Sequence, residues 1–364
     1  MREFLARWRR IDWLLFLAIL ILFVFSASIL YSLNLNIEGS DFLIFKKQIF
    51  FALSGIILMF MIANINYTAW STYSKLGYAL FIIVLLIVLL FGTQVKGTTG
   101  WIKIGPASIQ PVEFAKVALI VWLARYFSDH AHDFKFFRHI LLSGLGTLIF
   151  VALVAMQPDL GSAMVLFGTW VVILLFTGVR KKHLLWLAVT FLLVVVASWF
   201  FVLQDYQKAR ITTFINPSSD PQGQGYNVIQ SIVSVGSGQW FGRGLSLGSQ
   251  SALHFLPEPG TDFIFAVIAE DLGLVGVTVL IFVFAYIFYR LFIITRRSKD
   301  DFGAYLVLGI ASMLLVQTFI NIGMNMGISP VTGIPLPLVS AGGSSMWATM
   351  IAIGIAQSVY MRNR

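Results

Sequence analysis

The sequence contains no cysteine, which excludes disulfide scaffolds, thiolate metal sites and cysteine nucleophiles. Charge is also scarce. Only 11% of residues are Asp, Glu, Lys or Arg, against roughly 25% in a soluble domain. So few charges cannot cover a water-facing surface, so an ordinary soluble enzyme is excluded. The same apolar balance excludes disorder. The five histidines, His130, His132, His139, His183 and His254, show no metal-ligand spacing. There is no Walker-type phosphate loop, so nucleotide hydrolysis is not expected. No internal repeat is visible, which argues against an inverted-repeat transporter.

What is abundant is apolar surface. Hydrophobic residues make up 58% of the 364, and the mean hydropathy is +0.87. A helical span needs about 20 apolar residues. The apolar runs predict spans at 11–33, 45–65, 75–92, 110–127, 139–157, 159–178, 183–203, 262–295, 302–325 and 341–361. The expected fold is an all-α polytopic membrane protein of about ten transmembrane helices, one integral membrane domain over 1–364. The basic start has no small-residue cleavage site after its apolar run, so it reads as a first span.

The net charge of +9 has a membrane explanation that needs no nucleic acid. Of the 25 Lys and Arg residues, 17 fall in segments 1–12, 66–75, 125–139, 179–183, 290–301 and 362–364. By the positive-inside rule those segments, and both termini, are cytoplasmic. The outward side then carries 93–111, 204–261 and 326–342. The middle segment, about 58 residues between spans seven and eight, is too long to be structureless without a function. Within it Asn227–Val235 is apolar enough to lie on or re-enter the membrane.

Ionisable groups at membrane depth are functional candidates. Here they are Glu113, Lys116, Asp159, Arg210, Glu258, Asp262, Glu270 and Asp271. All lie toward the outward side, where ATP is unavailable. Glu113 and Lys116 are spaced i,i+3 and can pair. That pair fixes helix packing or also faces an anionic ligand. Asp159 stands where a helix N-cap belongs. Arg210 either snorkels or clamps phosphate. Asp262 follows a Pro-Glu-Pro-Gly run at the mouth of an apolar helix, where it caps the helix or acts as a general base. Glu270 and Asp271, about two turns deeper, are expected to serve packing or hydrogen bonding. In Gly327–Met346, Pro330, Pro335 and Pro337 forbid regular helix. Gly342 and Gly343, with Ser340, Ser344 and Ser345 nearby, then open span ten as a rigid turn or a phosphate-binding helix start.

Five stretches carry a resemblance over essentially the whole chain: Gly100–Lys116, Gln157–Ala163, Gly225–Gln250, Phe255–Gly273 and Pro330–Met346. In that order the sequence resembles the SEDS family (shape, elongation, division and sporulation), closer to its RodA branch than to its FtsW branch. The resemblance implies a peptidoglycan glycosyltransferase of the bacterial cytoplasmic membrane. It would polymerise lipid II into β-1,4 strands on the outer face for cell elongation. A class B penicillin-binding protein would be its partner, and a polyprenyl diphosphate-linked glycan its other substrate.

The resemblance further implies that Asp262 is the essential acid of the TDF motif. It maps Gln110, Pro111, Glu113 and Lys116 onto a second motif, Asp159 onto a third, and Arg210 onto the loop arginine. The sequence departs from the family pattern at Val112, at Ala341 and at Gly260, which stands where a histidine is usual. Asp262 would then take the acceptor proton, with Arg210 and Lys116, and more weakly Arg243, stabilising the leaving diphosphate. A divalent cation, magnesium or manganese, could serve the same end, although no ligand cluster in the sequence marks one. A lipid II flippase and a non-enzymatic scaffold of the elongation machinery remain as alternative readings.

Overall fold

The computed structural model describes residues 10–35, 42–95, 97–105, 107–131, 137–201, 205–220, 223–252 and 255–363. Arg2, Arg7, Arg9, Lys96, Lys135 and Arg364, on which part of the predicted orientation rests, lie outside them, as do His132 and His254.

A long helix occupies each apolar run. They are α1 (Trp13–Leu35), α2 (Leu43–Asn64), α4 (Ser74–Phe91), α5 (Pro111–Asp129), α6 (Phe137–Ala155), α7 (Leu160–Phe176), α8 (Lys181–Phe201), α12 (Ile264–Arg296), α13 (Asp301–Asn325) and α14 (Gly343–Arg362). The short α3 (Tyr67–Thr72) lies between α2 and α4. Among the described residues, α1, α2, α4, α6, α12 and α13 are long and apolar enough to cross a membrane. The apolar α7 is shorter, at 17 residues. Glu113, Lys116, Arg125 and Asp129 dilute α5.

Polar residues start the helices where the apolar runs begin. Asp12 accepts from the N–H of Leu15 at 3.1 Å. Asp159 accepts from Ser162 at 2.9 Å and Asp300 from Gly303 at 3.0 Å. Each satisfies an N–H that has no partner inside its helix. Pro111 opens α5, where a missing N–H costs nothing.

The main core runs along α1, α5, α12, α13 and α14, with Met59 of α2. α14 lies against α2, and α13 is wedged among α5, α7 and α12. A Cβ on Gly354 would stand 2.7 Å from the Met59 carbonyl oxygen. Only hydrogen fits there, and this closeness is how helices pack where no hydrophobic drive separates lipid from side chain. Away from the core, Leu17, Val24, Phe50, Ile57, Leu80 and Leu90 are exposed. An exposed apolar belt of this kind is what a bilayer-facing surface looks like.

The two ends of the bundle differ. At one end Arg290 grips the buried Asp12 carboxylate at 2.6 and 3.0 Å, while Gln357 bonds the Asp12 backbone from both sides. This ties α1, α12 and α14 together beside the described basic segments. At the other end the connections are long and structured. Residues 93–109 form a three-stranded antiparallel sheet that the span-by-span reading does not anticipate: β1 (Thr93–Val95), β2 (Thr98–Ile104) and β3 (Ala107–Ile109), in that order. Thr93 pairs with Trp101, and Ile102 with Ile109. Gly97 and Gly105, both at positive φ, lie between the strands.

The long segment after α8 contains α9 (Asp205–Ile215), α10 (Gln224–Ser237) and α11 (Ser249–Ala252). Helix α12 is broken at Gly273 (φ 65°, ψ −165°). The turn after α10 mends the break. Arg243 and Gly244 N–H groups donate to the Glu270 and Asp271 carbonyls, and Leu274 and Val275 N–H groups donate to those of Gln239 and Trp240.

Candidate functional site

The Pro257–Thr261 turn delivers the chain to α12. Thr261 N–H donates to the Glu258 carbonyl at 3.2 Å, and the Thr261 hydroxyl bonds the Glu258 carboxylate at 3.3 Å. Glu258 is exposed and holds φ at 48°, a left-handed conformation uncommon outside glycine. The helix begins at Ile264 with Phe263 at the cap position and no side-chain cap bond.

Three successive carbonyls around Asp262 are each held by a different group. The Ala341 N–H donates to Gly260 at 2.9 Å. The Ser340 hydroxyl donates to Thr261 at 2.5 Å. The Asn321 and Asn325 amides donate to the Asp262 carbonyl at 3.1 and 3.0 Å. Asn325 also accepts from the Ala266 N–H at 3.1 Å, and Asn321 donates to the Ile334 carbonyl at 2.7 Å. Phe263 and Phe265, beside Asp262, are buried in the core. The Asp262 side chain is only half-buried. It faces Gly333, where a Cβ would lie 3.5 Å from Oδ2. The backbone is thus fixed from three sides while the carboxylate keeps access.

The other candidates reach this point through a chain of contacts. Glu113 and Lys116 are buried on α5 and pair at 2.7 Å, as their spacing predicts. Ahead of them, the Gln110 N–H donates to the Ser344 hydroxyl at 3.0 Å, and the Gln110 amide donates to Asp159 at 3.1 Å. Asp159 caps α7 as predicted, and links α5 to α7 as well. Two residues on, a Cβ at Gly161 would meet the Thr332 carbonyl oxygen and the Ile334 side chain at 2.7 Å. Thr332 and Ile334 flank Gly333, the residue facing Asp262.

Span ten opens at Gly343, after an extended Gly342. The Phe51 ring lies over Gly343, 2.5 Å from where a Cβ would stand. The Ser340 hydroxyl is already used twice, accepting from the Leu336 N–H at 2.8 Å and donating to Thr261. Its place in the structure is a clamp between two loops.

Glu270 and Asp271 are hydrogen-bonding residues, as expected. Glu270 accepts from the Gln250 and Ser251 N–H groups at 2.8 and 3.1 Å, and Asp271 from the Ser32 hydroxyl at 3.0 Å. Arg243 bonds the Ser237 carbonyl and the Ser249 hydroxyl at the surface. Arg210 lies in α9, and its side chain is outside the described part of the structure. Among the described residues no three His, Asp or Glu side chains converge as a metal centre would require.

Asn321 and Asn325 are the site residues that a search for charge passes over. The signal for them is two amides four residues apart in an otherwise apolar span, Asn321-Ile-Gly-Met-Asn325.

The family model described as "Cell cycle protein", covering FtsW, RodA and SpoVE, matches residues 8–364. Stage V sporulation protein E of Bacillus subtilis (strain 168) is 38% identical, over 96% of this chain and 95% of that one. Peptidoglycan glycosyltransferase MrdB of Escherichia coli (strain K12) is 36% identical, over 97% and 94%. A chain solved in a peptidoglycan synthase complex, described as coordinating polymerization and crosslinking, superposes with a TM-score of 0.81. It is 29% identical, with 97% and 98% of the two chains covered. Fold, site motifs and full-length similarity agree: the chain belongs to the FtsW, RodA and SpoVE family of cell cycle proteins.

Proposed function

We propose that this chain is a peptidoglycan glycosyltransferase that polymerises lipid II, with Asp262 as its general base. The observation that carries the reading is the hold on Asp262: three carbonyls pinned in succession and a residue left half-buried. A base must be placed to within tenths of an ångström of the proton it takes, yet must still be reached by substrate. Close similarity to a protein named peptidoglycan glycosyltransferase supports the same reading.

In the reaction, the GlcNAc 4-hydroxyl of one lipid-linked disaccharide attacks the anomeric carbon of the MurNAc at the end of a growing chain. Asp262 accepts the hydroxyl proton. The C1–O bond to the polyprenyl diphosphate breaks, and the diphosphate leaves with the electron pair. Attack from the opposite face inverts the α-linkage to β-1,4. The leaving group gains negative charge, so a cation near it stabilises the transition state. Lys116 and Arg210 are the residues proposed for that role, Glu113 and Asp159 hold the α5 and α7 starts in place, and Glu258 shapes the turn before Asp262.

The proposed topology has ten spans, with the basic end and both termini in the cytoplasm and Asp262 facing outward. The proposed partner is a class B penicillin-binding protein, which would crosslink the strands.

Lipid II polymerisation by purified protein, with a cognate class B penicillin-binding protein present, tests the assignment. Asp262→Asn is expected to lower the rate by about 100- to 10,000-fold. Wild-type rates from that variant would remove Asp262 from the chemistry.

A further inference from the structure

Helix α10 is turned inside out by the standards of a water-exposed loop. Its inward face is mostly small or polar: beside Val228, Gly225, Ser231 and Ser234 are buried, the two serines fully. The Ser231 hydroxyl donates to the Asn325 carbonyl at 2.9 Å. Just past the helix, Gly238 packs so closely on the Ala269 carbonyl of α12 that no Cβ would fit. The outward face is aliphatic: Ile229, Ile232 and Val233 are 38–44% exposed. A helix that faced water would place its serines out and its isoleucines in. Small residues inward and large aliphatic residues outward are the pattern of helices packed within lipid.

The turn after α10 continues this surface. Trp240 and Phe241 are 68% and 83% exposed. The Trp240 carbonyl accepts from the Val275 N–H in the broken ladder of α12, which places the turn beside Leu274 and Val275, also exposed on α12. Helix α12 is itself long and apolar enough to span a membrane. An interrupted helix at that depth is tolerated only where protein satisfies its backbone, and residues 239–244 do so.

We infer that α10 and the Trp240–Phe241 turn are seated in the bilayer. Their outward face contacts the acyl chains of the leaflet on the Asp262 side. The occupant is lipid because this surface adjoins Leu274 and Val275 on the exposed face of a spanning helix. The inference does not rest on glycosyl transfer. It has a consequence for the site: Ser231 bonds the backbone of Asn325, whose side chain holds the Asp262 backbone. The depth of α10 in the membrane therefore bears on the height of Asp262 above it.

The absence of cysteine makes the test direct. Single variants Ile232→Cys, Val233→Cys, Trp240→Cys and Phe241→Cys are spin-labelled in the full-length protein and reconstituted in phospholipid nanodiscs. Collision rates with oxygen and with a water-soluble nickel chelate are compared. Phe282→Cys is the lipid-facing reference and Lys75→Cys the water-facing one. The expected result is an oxygen-to-nickel ratio shifted from the Lys75→Cys value toward the Phe282→Cys value, more at 240 and 241, beside Leu274 and Val275, than at 232 and 233, which lie level with Asn325. A nickel rate equal to the water reference at all four positions would overturn the inference. Protection from both reagents would also overturn it, by showing a protein cover. Monodisperse elution of each variant establishes that the fold survives, and the four positions are independent of one another.

Discussion

The side-chain amide of Asn325 donates to the backbone carbonyl of Asp262 at 3.0 Å, and its oxygen accepts from the N–H of Ala266 at 3.1 Å. One side chain thus spans the start of α12 and sets where the Asp262 carboxylate begins. Asn325→Ala removes one of two acceptors of the Ala266 N–H, which keeps the Phe263 carbonyl at 3.0 Å, so the cost is about 0.5–1.5 kcal/mol per hydrogen bond lost. It also loosens Asp262, and misplacing a reacting group by an ångström costs up to about 100-fold in rate. The expected loss is in kcat, with KM little changed, because Asn325 holds the base and not the substrate. Asn325→Asp keeps the acceptor for Ala266 and loses the donor to Asp262. It also turns a buried carboxylate oxygen onto the Asp262 and Asn321 carbonyls, so it should lose both stability and activity. Thermal unfolding and polymerisation kinetics on the same preparations separate the two.

The buried pair of Glu113 and Lys116 lends itself to a double-mutant cycle. Their side chains are 4% and 2% exposed, so removing either strands a charge in the protein. Lys116→Met and Glu113→Gln should each destabilise by about 3–5 kcal/mol. The double variant should return close to wild-type stability, since no charge is left unpaired. If Lys116 stabilises the leaving diphosphate, the refolded double variant remains inactive. A stable double variant with wild-type activity would reduce the pair to packing.

The spans were legible because a bilayer imposes a length that few other structures share. The run predicted at 262–295 is helix Ile264–Arg296, and that at 302–325 is Asp301–Asn325. Asp159 as a cap and Glu113 with Lys116 as a pair followed from spacing alone, since both relations are local along one helix. The sheet at 93–109 was not legible. Its strands are three to seven residues long, too short for alternation to stand out, and two of its residues that mark turns are glycines that also suit loops. Asn321 and Asn325 carry no charge, so a search for the cost of burying ions passes over them. Ser340 was visible, but its partners, Thr261 and Leu336, come from a loop 79 residues away and from its own turn. Such pairings across the fold leave no periodic mark in the sequence.

Position 260 separates what the backbone demands from what the side chain supplies. Gly260 is not in the left-handed region, so its backbone accepts any residue. Its carbonyl is bonded by the Ala341 N–H, a contact no substitution at 260 removes. The obstacle is Leu30, whose δ-methyl lies 3.0 Å from where a Cβ would stand. Gly260→Ala asks Leu30 to move a few tenths of an ångström and should leave activity intact. Gly260→His must displace the buried Leu30, an overpacking that costs about 1–3 kcal/mol. Adding Leu30→Ala to Gly260→His should recover part of that stability by opening the space. If Asp262 serves as base without a histidine relay, the pH–rate profile of this double variant matches wild type. A new limb near the histidine pKa of about 6.5 would show that an imidazole at 260 can join the proton path to Asp262.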